Sequence, residues 1–555
     1  MSESAPSKPA ASTRPVAVVD MGASSIRLLV AEITPGEPVR ILEDASRGVL
    51  LGKDTFSNGR LGAATVEATL KALDGFRRIM DGYGVVQCRA VGTSAVREAS
   101  NCDSFLDRVR LRTGIEIEVI NGSEEVRLTY MAVREVLGGH EALSANNALL
   151  VAVGGGSADI SFLRKGEPVR SGTYALGSIR MRQSLASWHG SHDRRMRLLR
   201  RHIHNVVDDI RPDMSLADVN HFIALGSDVR FAASRILGDS RGGESRGGEP
   251  GGGESGGSGT GGGKTNGGGT GGDATILTVS RDAFLAFCDG VMSEDVDDLV
   301  ERYHLPLADA ETLVPALMAY RELIAESAAQ NVIVPEASLR MGLLLDIARA
   351  EEGHAFEDLS RQALGSAAAL GEKYHYDAPH ARNVAHLAVR LFEDLKAEHG
   401  LPPKDRLLLE VAALLHDLGI FVGLRGHHKH GQYILSASEI FGLSRDDMAI
   451  VSNVARYHRR SLPQRSHLPY MALDRNTRVT VNKLAAILRI ANALDADHLQ
   501  KVRDVRAILE RETWVLEVDG AGDLTMERLA SQARGDLFVE VFGRKLAFRE
   551  VGVHA

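Results

Sequence analysis

Residues 16–33 (VAVVDMGASSIRLLVAEI) and 148–163 (ALLVAVGGGSADISFL) repeat one pattern: an apolar strand, a turn of Gly and Ser, then a second apolar strand. Glycines let a backbone approach an anion closely and serine hydroxyls add donors, so consecutive N–H groups in such a turn can cup a phosphate. The element after the turn separates the fold classes. In a dinucleotide site or a P-loop the chain enters a helix whose N-terminus holds the phosphate. Here β-branched and apolar residues come next, at 26–30 and 160–163, and they read as strands. Each unit is therefore a hairpin, and two hairpins in tandem halves predict two related domains facing each other across a cleft. One Gly-rich hairpin alone reads as an ordinary tight turn. Two copies, each with an acid close to the turn (Asp20, Asp159), point to a phosphate site.

Composition bounds the class. A chain of 555 residues is long enough for three or four domains. With 44% hydrophobic and 25% charged residues it reads as an ordinary globular protein. No apolar run reaches bilayer length, and the N-terminus lacks the basic-then-apolar order of a signal peptide. Residues 1–15 read as a polar disordered tail. Cys88, Cys102 and Cys288 form no CxxC pair, which fits free thiols and a cytoplasmic location. A formal charge of −8 disfavours general nucleic-acid coating. Basic runs at 194–201 (RRMRLLRR) and 456–460 (RYHRR) could serve an anionic ligand or simply form solvated helix faces.

Residues 16–138 alternate strand-like and helix-like segments, and 146–330 open a second α/β half. The tract 241–272, almost all Gly with Ser, Glu, Thr and Arg, interrupts that half and reads as a disordered insert. Its GGGKT (261–265) imitates the end of a P-loop, but Ser258 stands where the first Gly belongs and no strand or helix flanks it. From 336 to 502 long amphipathic stretches, such as 383–396 and 406–418, predict an all-helical domain. Residues 503–555 read as a small α/β appendage with strand-like 513–518 and 537–541.

The chemistry of the first half centres on 121–130 (NGSEEVRLTY). Ser123 is a plausible N-cap, with Glu124 and Glu125 in the first helical turn. Acids there complement the helix dipole, or one of them projects into the cleft to orient or deprotonate water. Thr93, Ser94 and Arg97, after a strand end, form a cluster of donors suited to phosphate oxygens.

These segments together resemble the exopolyphosphatase/guanosine pentaphosphate phosphatase (Ppx/GppA) family. The resemblance rests on VAVVDMGASSIRLLVAEI, AVGTSAVREASN, INGSEEVRLTYMAV, VAVGGGSADISFLRKG and YALGSIRM, in that order, ahead of the helical region. It implies two actin-like (ribonuclease H-like) α/β domains of the ATPase superfamily, then the helical domain. It implies hydrolysis of a terminal phosphoanhydride, in inorganic polyphosphate or in guanosine pentaphosphate, with Mg²⁺ and in a homodimer. By the same resemblance Glu125 is the general base. Asp20, Gly22, Ser24, Ser25, Thr93, Ser94, Arg97, Gly154, Gly155, Gly156 and Ser157 bind phosphate, and Asp159 holds metal. Two positions depart from the family pattern. Ala152 stands where an acid usually precedes the glycines, and the first turn reads Gly-Ala-Ser-Ser rather than Gly-Ser-Asn-Ser.

The helical region carries its own signal. His416-Asp417 ends an apolar stretch (VAALLHDLG), so the pair must be partnered or metal-bound. With His380 upstream and Asp495 downstream, the order resembles the HD metal-dependent phosphohydrolase superfamily. His427, His428, His430 and His458 match positions that hold a second metal in some HD enzymes. The expected ligands are His380, His416, Asp417, His430, His458 and Asp495, for Mn²⁺ or another divalent ion. This leaves two alternatives: the HD-type domain is itself a phosphohydrolase with the first half reduced to a polyphosphate- or nucleotide-binding module, or the protein is a polyphosphate- or nucleotide-binding sensor whose catalysis is weak.

Overall fold

The computed structural model describes residues 13–144, 147–188, 190–211, 214–243, 276–352, 355–459 and 461–551. They divide into two units, one of Met1–Glu167 and Ser171–Phe356, the other of Pro168–Arg170 and Glu357–Ala555. The tail 1–12, most of the Gly-rich insert with its GGGKT, and Arg460 lie outside the described residues.

The first unit holds two sheets. Strands β1 (Arg14–Met21), β2 (Ser25–Ile33), β3 (Arg40–Gly48), β4 (Gln87–Gly92) and β5 (Ile117–Val119) run in the order β3-β2-β1-β4-β5. Strands β6 (Ala148–Val153), β7 (Ala158–Arg164), β8 (Glu167–Tyr174), β9 (His221–Leu225), β10 (Leu277–Ser280) and β11 (Asn331–Val334) run β10-β11-β9-β6-β7-β8. Both sheets pair their first two strands antiparallel and the first and fourth parallel, so the second repeats the topology of the first. The repeated hairpins of the sequence are β1-β2 and β6-β7.

β1 opens at Arg14, inside the expected tail, because Arg14 and Pro15 still pair with Ile33 and Glu32. From Val16 to Val19 the strand is apolar because both of its faces are covered. Ala17, Val19 and Met21 pack with Phe76 and Phe105 on one face, and Val16 and Val18 with Leu128, Leu343, Leu344 and Ile347 on the other. The helix Leu339–Glu352, expected in the all-helical domain, thus belongs to the first unit. Amphipathic spacing shows that a helix buries a face but not which sheet receives it. The expected boundary at 330 moves too, since β11 (NVIV) pairs with β9 and β10.

The second unit is a helical bundle with a three-stranded sheet, β12 (Val502–Glu510), β13 (Thr513–Gly520) and β14 (Lys545–Glu550). Residues 537–541, expected as a strand, lie in the helix Asp536–Phe542. The run is short and apolar, which periodicity cannot assign. Gly543 in the left-handed conformation caps it, and Leu537, Phe538 and Phe542 are buried.

Candidate functional site

In the first unit the two Gly/Ser turns are built alike. The Gly22 N–H donates to the Ser25 carbonyl at 3.1 Å, and the Gly154 N–H donates to the Ser157 carbonyl at 2.9 Å. The strand register puts the acids on opposite strands of matching pairs: Asp20 on the outgoing strand faces Arg27 across the first hairpin, and Asp159 on the return strand faces Ala152 across the second. Ala152 leaves the outgoing strand without an acid, and Asp159, two residues past the turn on the return strand, is the carboxylate that faces it. Ser24 is exposed and Ser25 half-buried, its hydroxyl accepting from Arg27 Nε at 3.1 Å. Ser157, Thr93 and Ser94 are buried. A methyl group on Gly156 would collide with Ser94 Oγ and the Phe56 ring, so glycine there lets the second turn close against the first half.

Glu125 sits in the first turn of the helix Gly122–Leu137. The cap is Asn121, not Ser123: its side chain accepts from the Glu124 N–H at 2.9 Å. Serine is an equally good cap, so sequence alone could not choose. Gly122 lies against Thr173 of β8, with no room for a Cβ, and Thr173 Oγ1 donates to Asp159 Oδ1 at 2.7 Å. That approach sets the Glu125 turn beside Asp159. Glu125 Oε2 and Asp20 Oδ1 are buried without hydrogen-bond partners. Burial, then Asp159 and, more weakly, Asp20, lift the Glu125 carboxyl well above the ordinary range, against the pull of Arg97. Burial also raises Asp20, against Arg27 and Arg340. Arg97 Nη1 donates to the Ile120 carbonyl at 2.5 Å, which fixes it over the start of this helix. Buried carboxylates with free oxygens beside guanidinium groups suit a cation and a phosphoryl group together. Glu124 instead pairs with Arg127 and Arg89, a structural network completed by Asp346.

The second unit gathers a histidine and carboxylate centre. His416 Nδ1 bonds the Ala413 carbonyl at 2.7 Å, His427 Nδ1 that of Leu424 at 2.9 Å and His458 Nδ1 that of Ala455 at 2.6 Å, while His380 Nδ1 bonds Asp495 Oδ2 at 2.8 Å. Each bond commits Nδ1 as donor and leaves an Nε2 lone pair. Those lone pairs converge on Asp417. His427 Nε2 lies 3.2 Å from His458 Nε2, and both lie within 3.4 Å of Asp417 Oδ1. Acceptors so close repel one another unless a cation lies between them. His380 Nε2 and His416 Nε2 are likewise buried without partners. Two groups are compact enough to hold an ion, His380/Asp417/His498 and Asp417/His427/His458, and Asp417 belongs to both. Burial pushes Asp417 up, yet His416, His427 and His458 hold it far below the usual carboxylate range. Burial depresses His416 to about 4.

The expected ligand set changes accordingly. His416 is absent from both groups, and so is His430, whose place His427, one helical turn before it, takes. Their i,i+3 spacing puts both on a similar helix face, so the choice depended on packing. Asp495 orients His380 and accepts the Gln500 N–H at 2.8 Å, rather than joining either group. His498 had no sequence signal; it stacks on the His380 ring at 3.6 Å and bonds Asp377 Oδ2 through Nδ1 at 3.0 Å.

Two family models match this chain, the Ppx/GppA phosphatase family over residues 29–224 and Ppx/GppA phosphatase, domain III over 363–532. Exopolyphosphatase 1 of Mycobacterium tuberculosis is 32% identical over 164 residues, 30% of this chain and 46% of that protein. The chain thus spans about half the length of that relative. A guanosine-5'-triphosphate,3'-diphosphate pyrophosphatase of Vibrio vulnificus is 22% identical over 447 residues, 80% of this chain and 81% of that protein. The crystal structure of an exopolyphosphatase from Cytophaga hutchinsonii shares the fold, with a TM-score of 0.51 at 20% identity over 61% of this chain and 98% of that one. Among the described residues no helix is long and apolar enough to cross a membrane.

Proposed function

The chain belongs to the Ppx/GppA phosphatase family, and on that premise we propose that it is a phosphoanhydride hydrolase releasing terminal orthophosphate from inorganic polyphosphate. The observation that carries this reading is Glu125: buried, with Oε2 unpartnered and its proton affinity raised, it is suited to take a proton from water beside Asp159. The repeated strand order supports an actin-like pair of domains, with the Gly/Ser turns offering N–H groups to the phosphates. Thr93, Ser94 and Arg97 would meet the oxygens of the transferred group, a role supported by the approach of Ser94 Oγ to Gly156 of the second turn. Asp20 and Asp159 would hold Mg²⁺, which when bound would neutralise charge developing on the phosphoryl oxygens.

Guanosine pentaphosphate presents the same terminal phosphoanhydride and is the second substrate of this reading. A substrate panel decides between them: phosphate release from long-chain polyphosphate, guanosine pentaphosphate and ATP, each with Mg²⁺ or Mn²⁺. Glu125→Gln is expected to lower kcat by about 10²–10⁴-fold on the true substrate, while Asp417→Ala leaves it near the parent value. Activity surviving in Glu125→Gln and lost in Asp417→Ala would transfer the chemistry to the helical unit.

The convergence of Nε2 lone pairs on Asp417 favours a further reading of that unit as an HD-type metal centre. His380, Asp417 and His498 would hold one divalent cation, with the unpartnered His416 Nε2 beside it at 3.5 Å from Asp417 Oδ2, and Asp417, His427 and His458 another. Mn²⁺ there would polarise a phosphoryl oxygen.

A further inference from the structure

The buried Arg489 organises one side of the His/Asp centre. Its guanidinium bonds the carbonyls of Tyr457, at 3.3 Å, and of Arg459, which flank the metal-binding candidate His458. Its Nε bonds the Arg534 carbonyl at 3.2 Å, and Asp536 accepts from Nη2 at 2.6 Å. One side chain thus ties the loop after His458 to the C-terminal α/β appendage, and so sets Arg459 and Arg534 side by side.

Arg489 spends its charge on Asp536, but the two arginines it positions do not. Arg534 Nη1 is buried without a hydrogen-bond partner. Among the described residues neither Arg459 nor Arg534 pairs with a carboxylate, and each feels the other's charge. Arg534 also feels the charge of Asp417, and Arg459 that of His427, while the Arg489 bonds tie the backbone of both arginines to the segment that carries His458. Both residues are half-buried, and a cation partly withdrawn from water without a partner is costly, the more so beside another of the same charge. An anion relieves both, and the fork of donors on a guanidinium fits phosphate oxygens.

We propose that Arg459 and Arg534 form an anion-binding wall beside the His/Asp centre, so that the helical unit takes a ligand bearing a terminal phosphoryl group. The C-terminal appendage then completes the site by supplying Arg534. This proposal rests on the reading of the centre as metal-binding.

The test uses the full chain loaded with Mn²⁺, with metal content measured in parallel and inorganic phosphate as the probe. Phosphorus relaxation reports phosphate lying beside bound Mn²⁺, and the part that disappears in Asp417→Ala belongs to the helical unit. Arg534→Ala is expected to keep the Mn²⁺ and weaken that phosphate at least about 10-fold, with Arg534→Lys recovering part of it. Should Arg534→Ala unfold the appendage, Arg459→Ala carries the same expectation. Phosphate bound as tightly by Arg459→Ala and Arg534→Lys as by the parent, at unchanged Mn²⁺ content, would overturn the proposal. Mn²⁺ content equal in Asp417→Ala and the parent would instead remove the metal centre, and the proposal with it. Displacement of the relaxed phosphate by tripolyphosphate assigns the group to a polyphosphate chain, and displacement by guanosine monophosphate assigns it to a nucleotide. Displacement by neither overturns the proposal.

Discussion

Asp20, Glu125 and Asp159 stand in the sequence within recognisable motifs, and their roles depend on what surrounds each one. Asp159 faces Ala152, where the outgoing strand carries no acid, across β6 and β7. The turn sequence alone displays the loss, whereas the register shows which residue faces it. Asp228, at the start of the helix Ser227–Gly243, carries a pH dependence of its own. Burial, then Asp309, pushes its carboxyl up to about 7 from an ordinary value of 3.8. Between those two values the folded chain binds more protons than the unfolded one, so this residue makes stability fall as pH rises. Asp228→Asn should therefore flatten the pH dependence of the unfolding temperature between about pH 4 and 7. Parallel curves for the parent and Asp228→Asn would show that the shift is absent.

Among the elements, the two hairpins were the most legible, because turn chemistry and strand propensity act over a few residues. The helix Gly122–Leu137 was legible in its extent but not in its placement. Its first turn meets β8 only because Gly122 admits Thr173, a residue of the other half. Gly122→Ala is expected to push the helix start away from Asp159 and lower phosphate release by about 10-fold or more, since small misplacements of catalytic groups are expensive. Mn²⁺ bound by the second unit should not change, and equal activity of Gly122→Ala and the parent would remove the positioning role. The helix Asp536–Phe542 shows the opposite limit. Its sequence suits a strand, and tertiary packing of Leu537 and Phe538 makes it a helix.

For the whole molecule, the chain's two tryptophans fall one in each unit, Trp188 in the first and Trp514 in the second. Variants keeping only one of them report each unit separately. Leu343→Ala, which empties a buried place against β1, is expected to cost about 2–5 kcal/mol in the transition seen by Trp188 and nothing in that seen by Trp514. The reverse result would return the helix Leu339–Glu352 to the helical unit. Mn²⁺ at 100 times its Kd is expected to stabilise the Trp514 transition by about 2.7 kcal/mol. Asp417→Ala should abolish that gain, and a gain surviving in this variant would place the metal elsewhere. The sequence by itself determined the repeated phosphate-turn hairpins, the family, the helical second region and the pairing of His416 with Asp417. All of these are local patterns, fixed by neighbours a few positions apart. Only the tertiary structure chose His427 over His430, turned Asp495 from ligand to support for His380 and brought Arg534 to the centre. Those decisions join groups far apart in the chain, His427 with His458 across 31 residues and His380 with Asp495 across 115, and such distances are closed by packing, which no local pattern encodes.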